Sequence, residues 1–322
     1  MYHCCFFCSD NILERSVKSL KNINRRSYIY KEEKKQNMFK KILIPVSSEF
    51  YSKKVLQRGV FLAEKFNSEI DIIYIIEEKT LNQTDRQSDA FRTHYEREDT
   101  KKEIIGKQKQ KADNIIFEDA RSIFKEKGLF FTDKKAEGQF STVIKNEIEK
   151  NKYNLIIMGY ERECNLNYRI FDDINIPIWV ESEIEGNSIL AVCSNLAPNQ
   201  KVPEISIKLA DSFNWTLHML YVVDMQDNVQ VDKTGRRSNR RTENDLIRIG
   251  ETFVEQMRGK NINVKMVKGN IEKETFKAAK KIGANLIILG REKKKKGLLG
   301  LPVKNIKRKM AEKCKYSILF VN

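Results

Sequence analysis

The chain alternates short apolar runs with longer segments in which apolar residues recur every three or four positions. The apolar runs predict strands at 41–46, 70–76, 129–135, 155–159 and 177–181, and again at 188–193, 216–223, 262–268, 285–289 and 317–321. The periodic segments predict helices at 52–66, 96–127, 139–151, 202–213, 240–260, 272–282 and 303–313. Near-continuous apolar strands with helices between them are typical of a parallel sheet covered on both faces. We therefore expect an α/β fold of two doubly wound five-stranded sandwiches in tandem, with ligands at the carboxyl ends of the strands.

Part of this pattern occurs twice in the chain. Gly138 leads through a charged helix to Gly159, and Gly269 leads at the same spacing to Gly290. The opening strands of the two copies, at 41–48 and 188–194, are also similar. A period above 100 residues indicates two fused domains and not a solenoid. We assign residues 38–182 to the first domain and 183–322 to the second. Residues 1–37 have no repeat partner and are expected to form a disordered extension.

Length and composition agree with two soluble domains. The chain has 322 residues, of which 40% are hydrophobic, and its apolar runs are shorter than the roughly 20 residues of a membrane span. Six scattered cysteines suit a reducing compartment, so a cytoplasmic location is expected. Near the start, His3, Cys4, Cys5 and Cys8 make at most half of a zinc site, because a structural site needs four ligands.

Positive charge is concentrated near the end of the chain. Residues 291–315 contain eleven Lys or Arg and two Glu, a net +9 out of +16. Such a patch attracts polyanions, so weak, non-specific binding to nucleic acid or an anionic membrane is one interpretation. The other is a solvated surface, since aromatic side chains that stack on bases are nearly absent from this segment.

Several segments together resemble the universal stress protein family. They are the opening strand Ile42–Ser47, the second strand ending at Glu77, the block from Gly269 to Gly290 and the closing helix and strand from Met310 to Val321. The resemblance covers about residues 38–322 in the tandem form that some members take. It implies the two-sandwich fold already expected and a role in stress responses.

Nucleotide-binding members of that family have an acidic residue at the end of the first strand. They also have a Gly-x-x-Gly-(nine residues)-Gly-Ser/Thr loop after the fourth strand, whose backbone N–H groups cradle phosphates. We interpret Ser47 and Cys193 as standing at the acidic positions. After Gly159 no further glycine precedes the last strand of the first copy, so the first domain is not expected to bind nucleotide in this way.

The second copy keeps the loop length but not the pattern. Lys293 replaces the second glycine, and Lys304-Asn305 stand where Gly-Ser is usual. The degenerate nucleotide pocket of this domain would comprise Cys193, Val222, Val223, Gly290, Gly297, Gly300, Lys304 and Asn305, with Val222 or Val223 near the base. Weak, salt-sensitive ATP binding is one interpretation, and a loop whose charges face water is the other.

Catalysis finds no support in the sequence. His3, His94 and His218 lie apart, and His218 is expected to pack within a strand. We expect no enzymatic activity, no bound cofactor and no metal. The predicted function is that of a non-enzymatic stress-response protein acting through protein partners. The alternative is an ATP-binding switch or weak ATPase that uses the second domain only.

The fifth strands, at 177–181 and 317–321, predict how the domains associate. Both are apolar, and both would otherwise leave unpaired edges of a sheet exposed. The linker 182–187 is short, so the two strands lie close along the chain. We expect an intramolecular pseudo-dimer joined at these strands.

Overall fold

The computed structural model describes residues 38–47, 51–77, 102–107, 110, 112–159, 174–182, 184–197, 199–225, 228–232, 238–260, 262–291, 310 and 315–321. The predicted extension 1–37 lies outside these ranges, as do the first part of the predicted helix 96–127 and all of the predicted helix 303–313 except Met310.

The described strands form one sheet. They are β1 (Lys41–Val46), β2 (Glu69–Ile76), β3 (Thr132–Glu137), β4 (Leu155–Gly159), β5 (Ile178–Glu181), β6 (Ser188–Ser194), β7 (Thr216–Val223), β8 (Val264–Lys268), β9 (Leu286–Gly290) and β10 (Ser317–Val321). Their order is β3-β2-β1-β4-β5-β10-β9-β6-β7-β8. Strands are parallel within each half, which confirms the two doubly wound five-stranded sandwiches.

Helices cover both faces of the sheet. They are α1 (Lys53–Phe66), α2 (Glu118–Lys125), α3 (Phe140–Lys150), α4 (Lys201–Phe213), α5 (Glu243–Arg258) and α6 (Ile271–Ile282), and a π-helical turn, Ala112–Phe117, leads into α2. Buried residues of α1, α2, α4 and α5 share one core cluster, and those of α3 and α6 share the other. Alternate residues of each strand therefore belong to opposite cores, as a sheet buried on both faces requires.

The predicted third strand is wrong in position. It was expected at 129–135, whereas β3 begins at Thr132 and ends at Glu137. Leu129 follows the turn after α2, where its N–H donates to the Phe124 carbonyl, and Phe130 is 91% exposed. The apolar run 129–131 thus lies in the irregular connection between that turn and β3, while the strand itself is polar because it lies at the edge of the sheet. The helix predicted at 240–260 and the strand predicted at 262–268 are each shorter than expected, as α5 and β8 show.

The two domains meet at their fifth strands, which confirms the pseudo-dimer. β5 and β10 pair antiparallel, with Trp179 opposite Leu319 at the centre. Because this is the antiparallel pair of the sheet, the carboxyl ends of the strands lie at opposite edges in the two halves. The two ligand crevices of the fold are therefore far apart, and one ligand cannot bridge them.

A charged and aromatic cluster, which we call the junction cluster, packs beside this strand pair. Arg58 of α1 forms two hydrogen bonds with the Glu181 carboxylate, at 2.9 and 3.0 Å. The Trp179 indole N–H also donates to Glu181, at 2.6 Å. The Arg58 guanidinium lies 5.1 Å from the Trp179 ring centre and 5.8 Å from that of Trp215, which belongs to the second domain. Phe213 packs against both tryptophans, so the cluster joins the two cores.

Candidate functional site

In the first domain, the carboxyl ends of the central strands bring Ser47 and Glu77 together. Ser47 follows β1 and Glu77 follows β2, and both are buried. The Ser47 hydroxyl donates to Glu77 Oε1 over 3.2 Å. The carboxylate at this end of the sheet is thus engaged by a group of the protein itself.

Gly159, at the end of β4, lies directly under the start of α1. A Cβ atom at this position would lie 3.0 Å from Val55 Cγ2 and 3.3 Å from Ser52 Cβ. Ser52 is the N-cap of α1, and its hydroxyl accepts from the Lys54 N–H. The close approach gives Gly159 a packing role in this domain. Residues 160–173, which would form the loop after it, lie outside the described residues.

The register of the second domain corrects the interpretation of Cys193. Val46 pairs with Tyr74 at the end of β1, and Cys193 pairs in the same way with Tyr221. Cys193 therefore corresponds to Val46, and the residue that corresponds to Ser47 is Ser194. The thiol is fully buried in the core shared by α4 and α5, and this burial raises its pKa, so the group is an inert core residue that faces away from the crevice.

The other predicted pocket residues are only partly brought together. Val222 and Val223 are both buried, but their side chains lie on opposite faces of the sheet, and Val222 is the one on the α6 side. Gly290 ends β9 beside β6, as expected. Gly297, Gly300, Lys304 and Asn305 lie outside the described residues, so their place in a pocket stays a prediction.

One residue of the basic segment behaves unlike a surface cation. Arg291 follows β9 and is only 3% exposed. Its N–H donates to the Val321 carbonyl, and its guanidinium donates across the domain boundary to the Ile176 carbonyl, at 2.6 Å. The first residue of the Lys-rich loop is thus held at the junction. Most of 291–315 lies outside the described residues, and polyanion binding by it stays a prediction.

The sequence interpretation missed the polar group that organises the second crevice, Asn195. It lies in the turn after β6 and is 1% exposed. Its side-chain oxygen accepts from the Asp224 N–H at 2.6 Å, and its amide nitrogen donates to the carbonyls of Asp224 and Val229, at 3.0 and 2.8 Å. A signal was present, because Asp224 and Glu77 end corresponding strands, but nothing in the sequence pairs Asp224 with Asn195.

Asp224 also closes the amino end of α6. Its Oδ2 atom accepts from the Ile271 N–H over 2.7 Å in a buried position. The Asn270 side chain accepts from the Lys273 N–H in the same turn. A helix amino terminus is a common anion site, and here a carboxylate of the chain already occupies it.

A second polar cluster, which we call the amino-edge cluster, lies at the opposite ends of the strands in the first domain. Asp71 of β2 is 4% exposed and accepts from the Tyr153 hydroxyl at 2.6 Å. Lys41 and Lys134 approach the same carboxylate, at 3.3 and 3.4 Å, and Lys134 also pairs with Glu147.

The cluster shifts the ionisation of its members. Burial alone would raise the pKa of Asp71, but the hydrogen bond from Tyr153 and the charges of Lys41 and Lys134 outweigh it and lower that pKa. Burial and the two carboxylates raise the pKa of Tyr153. The register places His218 at the position of Asp71, because His218 pairs with Leu190 as Asp71 pairs with Leu43. His218 is half-buried there, near the start of β7.

Metal-binding clusters and membrane-spanning helices are both absent from the part of the chain that the structure describes. Its residues contain no group of three or more His, Cys, Asp and Glu that could hold a metal ion. None of its helices combines the length and apolar character that crossing a bilayer requires.

Comparison with known proteins identifies the family to which the chain belongs. The sequence model of the Universal stress protein family matches residues 38–172 and 187–322. A universal stress protein from Archaeoglobus fulgidus DSM 4304 has a similar structure, with a TM-score of 0.59 and 14% identity over 89% of this chain and 97% of that one. A functionally unknown protein from Pseudomonas aeruginosa PAO1 is similar to the same extent, with a TM-score of 0.59 and 12% identity over 89% of this chain and 93% of that one. A comparison with curated proteins gave no match. Since the family model matches both halves separately, the chain belongs to the universal stress protein family as a tandem of two such domains.

Proposed function

We propose that the chain is a non-enzymatic stress-response protein that acts through protein partners. Family membership supports the connection with stress. The absence of catalysis and the action through partners are inferences from the two crevices.

The observation that carries this proposal is how the carboxylates at the crevices are used. Glu77 accepts from the Ser47 hydroxyl, and Asp224 accepts from the Ile271 N–H. A carboxylate that binds a ribose or acts as a base must offer an oxygen to the ligand in suitable geometry. Both carboxylates here instead bind buried groups of the protein, which favours a structural role.

The described thiol gives no support to catalysis either. Cys193 is fully buried in the core, and its raised pKa disfavours the thiolate, which is the nucleophilic form. With the carboxylates engaged and the thiol inert, association with other proteins is the function that this architecture serves best.

Calorimetry with MgATP on the full chain tests the proposal. We expect no saturable binding at concentrations up to about 1 mM, which corresponds to a binding free energy weaker than about −4 kcal/mol. Phosphate release should equal that of a heat-denatured sample. Affinity capture from a cell extract should recover the same proteins with and without added ATP.

The alternative is an ATP-binding switch or weak ATPase in the second domain. Saturable ATP binding, or protein capture that requires ATP, would favour this alternative and overturn the proposal. Binding that falls as salt rises would indicate that the lysines at 293–296 contribute, since exposed charges are screened by ions.

A further inference from the structure

Residues 228–232, which we call the strap, follow β7 and lie against the turn after β6. The Val231 N–H donates to the Asn195 carbonyl over 2.7 Å. The Asn195 side chain donates in return to the Val229 carbonyl at 2.8 Å. Asn195 thus binds the strap through both its backbone and its side chain.

The strap covers apolar surface at the end of the sheet. Val231 is buried, and Val229 packs against the core cluster that contains Val222 and Leu196. Val222 is the penultimate residue of β7, and Leu196 belongs to the turn after β6. The strap therefore lies across the carboxyl ends of β6 and β7.

This position borders the ligand crevice of the fold, which lies between β6 and β9. In the second domain the chain passes from β6 to β7 on one side and later to β9 on the other, so the order reverses at β6. Doubly wound sheets bind ligands outside the carboxyl ends of the strands at such a reversal. The strap covers the β6–β7 side of this crevice with Val231, which is buried, and Val229, which is partly buried.

A second stretch of chain supports the strap from its other edge. The Ser238 N–H donates to the Gln230 carbonyl at 2.7 Å, and the Gln230 N–H donates to the Ser238 hydroxyl at 3.0 Å. The Arg241 N–H donates to the Asn228 carbonyl at 2.6 Å. The strap is thus hydrogen-bonded along its other edge to residues 238–241, which lead into α5.

We propose that the strap keeps the second crevice closed to nucleotides and that Asn195 is the latch that holds it. The proposal rests on the proposed function, since it gives the reason why this domain does not bind nucleotide in its resting state. A ligand that needs the crevice must first displace Val229 and Val231. Its apparent affinity is then reduced by the fraction of molecules in which the strap is open.

The latch can be removed with a matched control in the same turn. Asn195→Ala deletes the bonds to Asp224 and Val229. Among the described residues, the Asn199 side chain binds the backbone of Ser194, at 3.1 and 2.8 Å, and does not contact the strap, so Asn199→Ala removes bonds of the same turn without touching the strap. A third variant, Val231→Asp, places a charge in the buried position and expels the strap while Asn195 is kept.

Two measurements on the full chain read out the result. Hydrogen exchange of residues 228–232 should be at least about tenfold faster in Asn195→Ala and Val231→Asp than in the wild type. Calorimetry with ADP should show saturable binding with a Kd of about 0.1 mM or below in the same two variants, and none up to about 1 mM in the wild type. Asn199→Ala should behave as the wild type does, with an exchange rate within about twofold and no saturable ADP binding, and thermal melting should show that all variants are folded.

The outcomes separate this inference from the proposed function. Faster exchange in both strap variants without a gain in ADP binding overturns the strap inference and leaves the proposed function standing. A wild-type strap that exchanges as fast as an exposed peptide has the same consequence, because a strap that is already open cannot close the crevice. Tight ADP binding by the wild type that accelerates exchange in the strap would support the strap and overturn the proposed function, whereas tight binding without acceleration would overturn both.

Discussion

The two domains have the same strands in the same register, yet they differ at several buried polar positions. At the amino edge, Asp71 of the first domain corresponds to His218 of the second. Tyr153, two residues before β4, corresponds to Ala284, two residues before β9. At the junction, Arg58 and Ile205 stand at the same distance before the left-handed asparagines that end α1 and α4.

The difference shows that apolar and polar positions obey different constraints. An apolar strand residue needs only another apolar residue of suitable size, and many choices satisfy it. A buried charge needs all of its partners at once, because a single missing partner leaves an uncompensated charge. In the second domain, several members of the amino-edge cluster are therefore replaced together: His218 stands in place of Asp71, and Ala284 in place of Tyr153. The apolar core of the second domain nevertheless resembles that of the first.

The largest effect is expected where the two domains meet. Arg58→Ala should lower the free energy of unfolding by about 3–5 kcal/mol, because it leaves the Glu181 carboxylate buried without its cation. The side chains of Arg58 and Glu181 are only 13% and 4% exposed. This loss of unfolding free energy can be measured by urea unfolding followed by tryptophan fluorescence, since both tryptophans of the chain, Trp179 and Trp215, belong to the junction cluster.

Lys54→Ala is the matched control for Arg58→Ala. Lys54 also belongs to α1 and pairs with Glu185 of the linker at 2.6 Å, but the two side chains are 39% and 83% exposed. Solvent-exposed ion pairs contribute less than about 1 kcal/mol to the free energy of unfolding. If the two variants lose the same stability, burial of the Arg58 pair has no energetic consequence and our account of the junction is wrong.

The next effect contrasts the amino edges of the two domains. Asp71→Asn should lower the free energy of unfolding by about 2–4 kcal/mol, because Lys41 and Lys134 lose the carboxylate that both approach. The corresponding change His218→Asn should lower it by less than about 1 kcal/mol, the usual limit for a substitution away from such a cluster. Equal losses in urea unfolding would contradict the claim that only the first domain depends on a polar cluster at this edge.

The Asp71→Asn variant also tests a pH dependence of stability. The pKa of Asp71 is lower in the folded protein than usual, so the unfolded state binds more protons in acid. Its stabilising contribution is present above the unfolded pKa and is lost as the pH falls through the folded pKa. Asp71→Asn should therefore flatten the fall in stability between about pH 5 and pH 3, measured by urea unfolding at each pH.

The smallest effect concerns how corresponding helices begin. α5 starts with a capping box, in which the Thr242 hydroxyl accepts from the Asp245 N–H and Asp245 accepts from the Thr242 N–H. α2 of the first domain follows a π-helical turn and has no side-chain cap. Thr242→Ala should lower the free energy of unfolding by about 1 kcal/mol, because it removes the capping hydroxyl. Thr242→Ser keeps a hydroxyl and should lose much less. If thermal unfolding shows equal losses of stability for the two variants, the hydroxyl of Thr242 is not the source of the stabilisation.

The accuracy of the sequence-based predictions follows the same division between apolar and polar positions. β4 and β10 lie where they were predicted, because both faces are buried and the apolar run marks the whole strand. β3 was misplaced because it is an edge strand with a polar sequence, preceded by an apolar irregular connection. The assignment of Cys193 to the crevice was wrong by one residue. In a strand, an error of one residue assigns a side chain to the opposite face of the sheet. The error became visible only from the pairing of Cys193 with Tyr221.

The sequence by itself determined the number of domains, most of their strands and their joining at the fifth strands. Repetition and apolar periodicity can be recognised within one segment of sequence, without knowing which other segments it contacts. Only the tertiary structure decided which polar groups meet. Asn195 and Asp224 are 29 residues apart, and Arg291 reaches a carbonyl 115 residues away. Such contacts depend on distance and angle between separate segments, which neither composition nor spacing encodes. The ends of the strands, where ligands bind in this fold, are for that reason the part that the sequence alone left open.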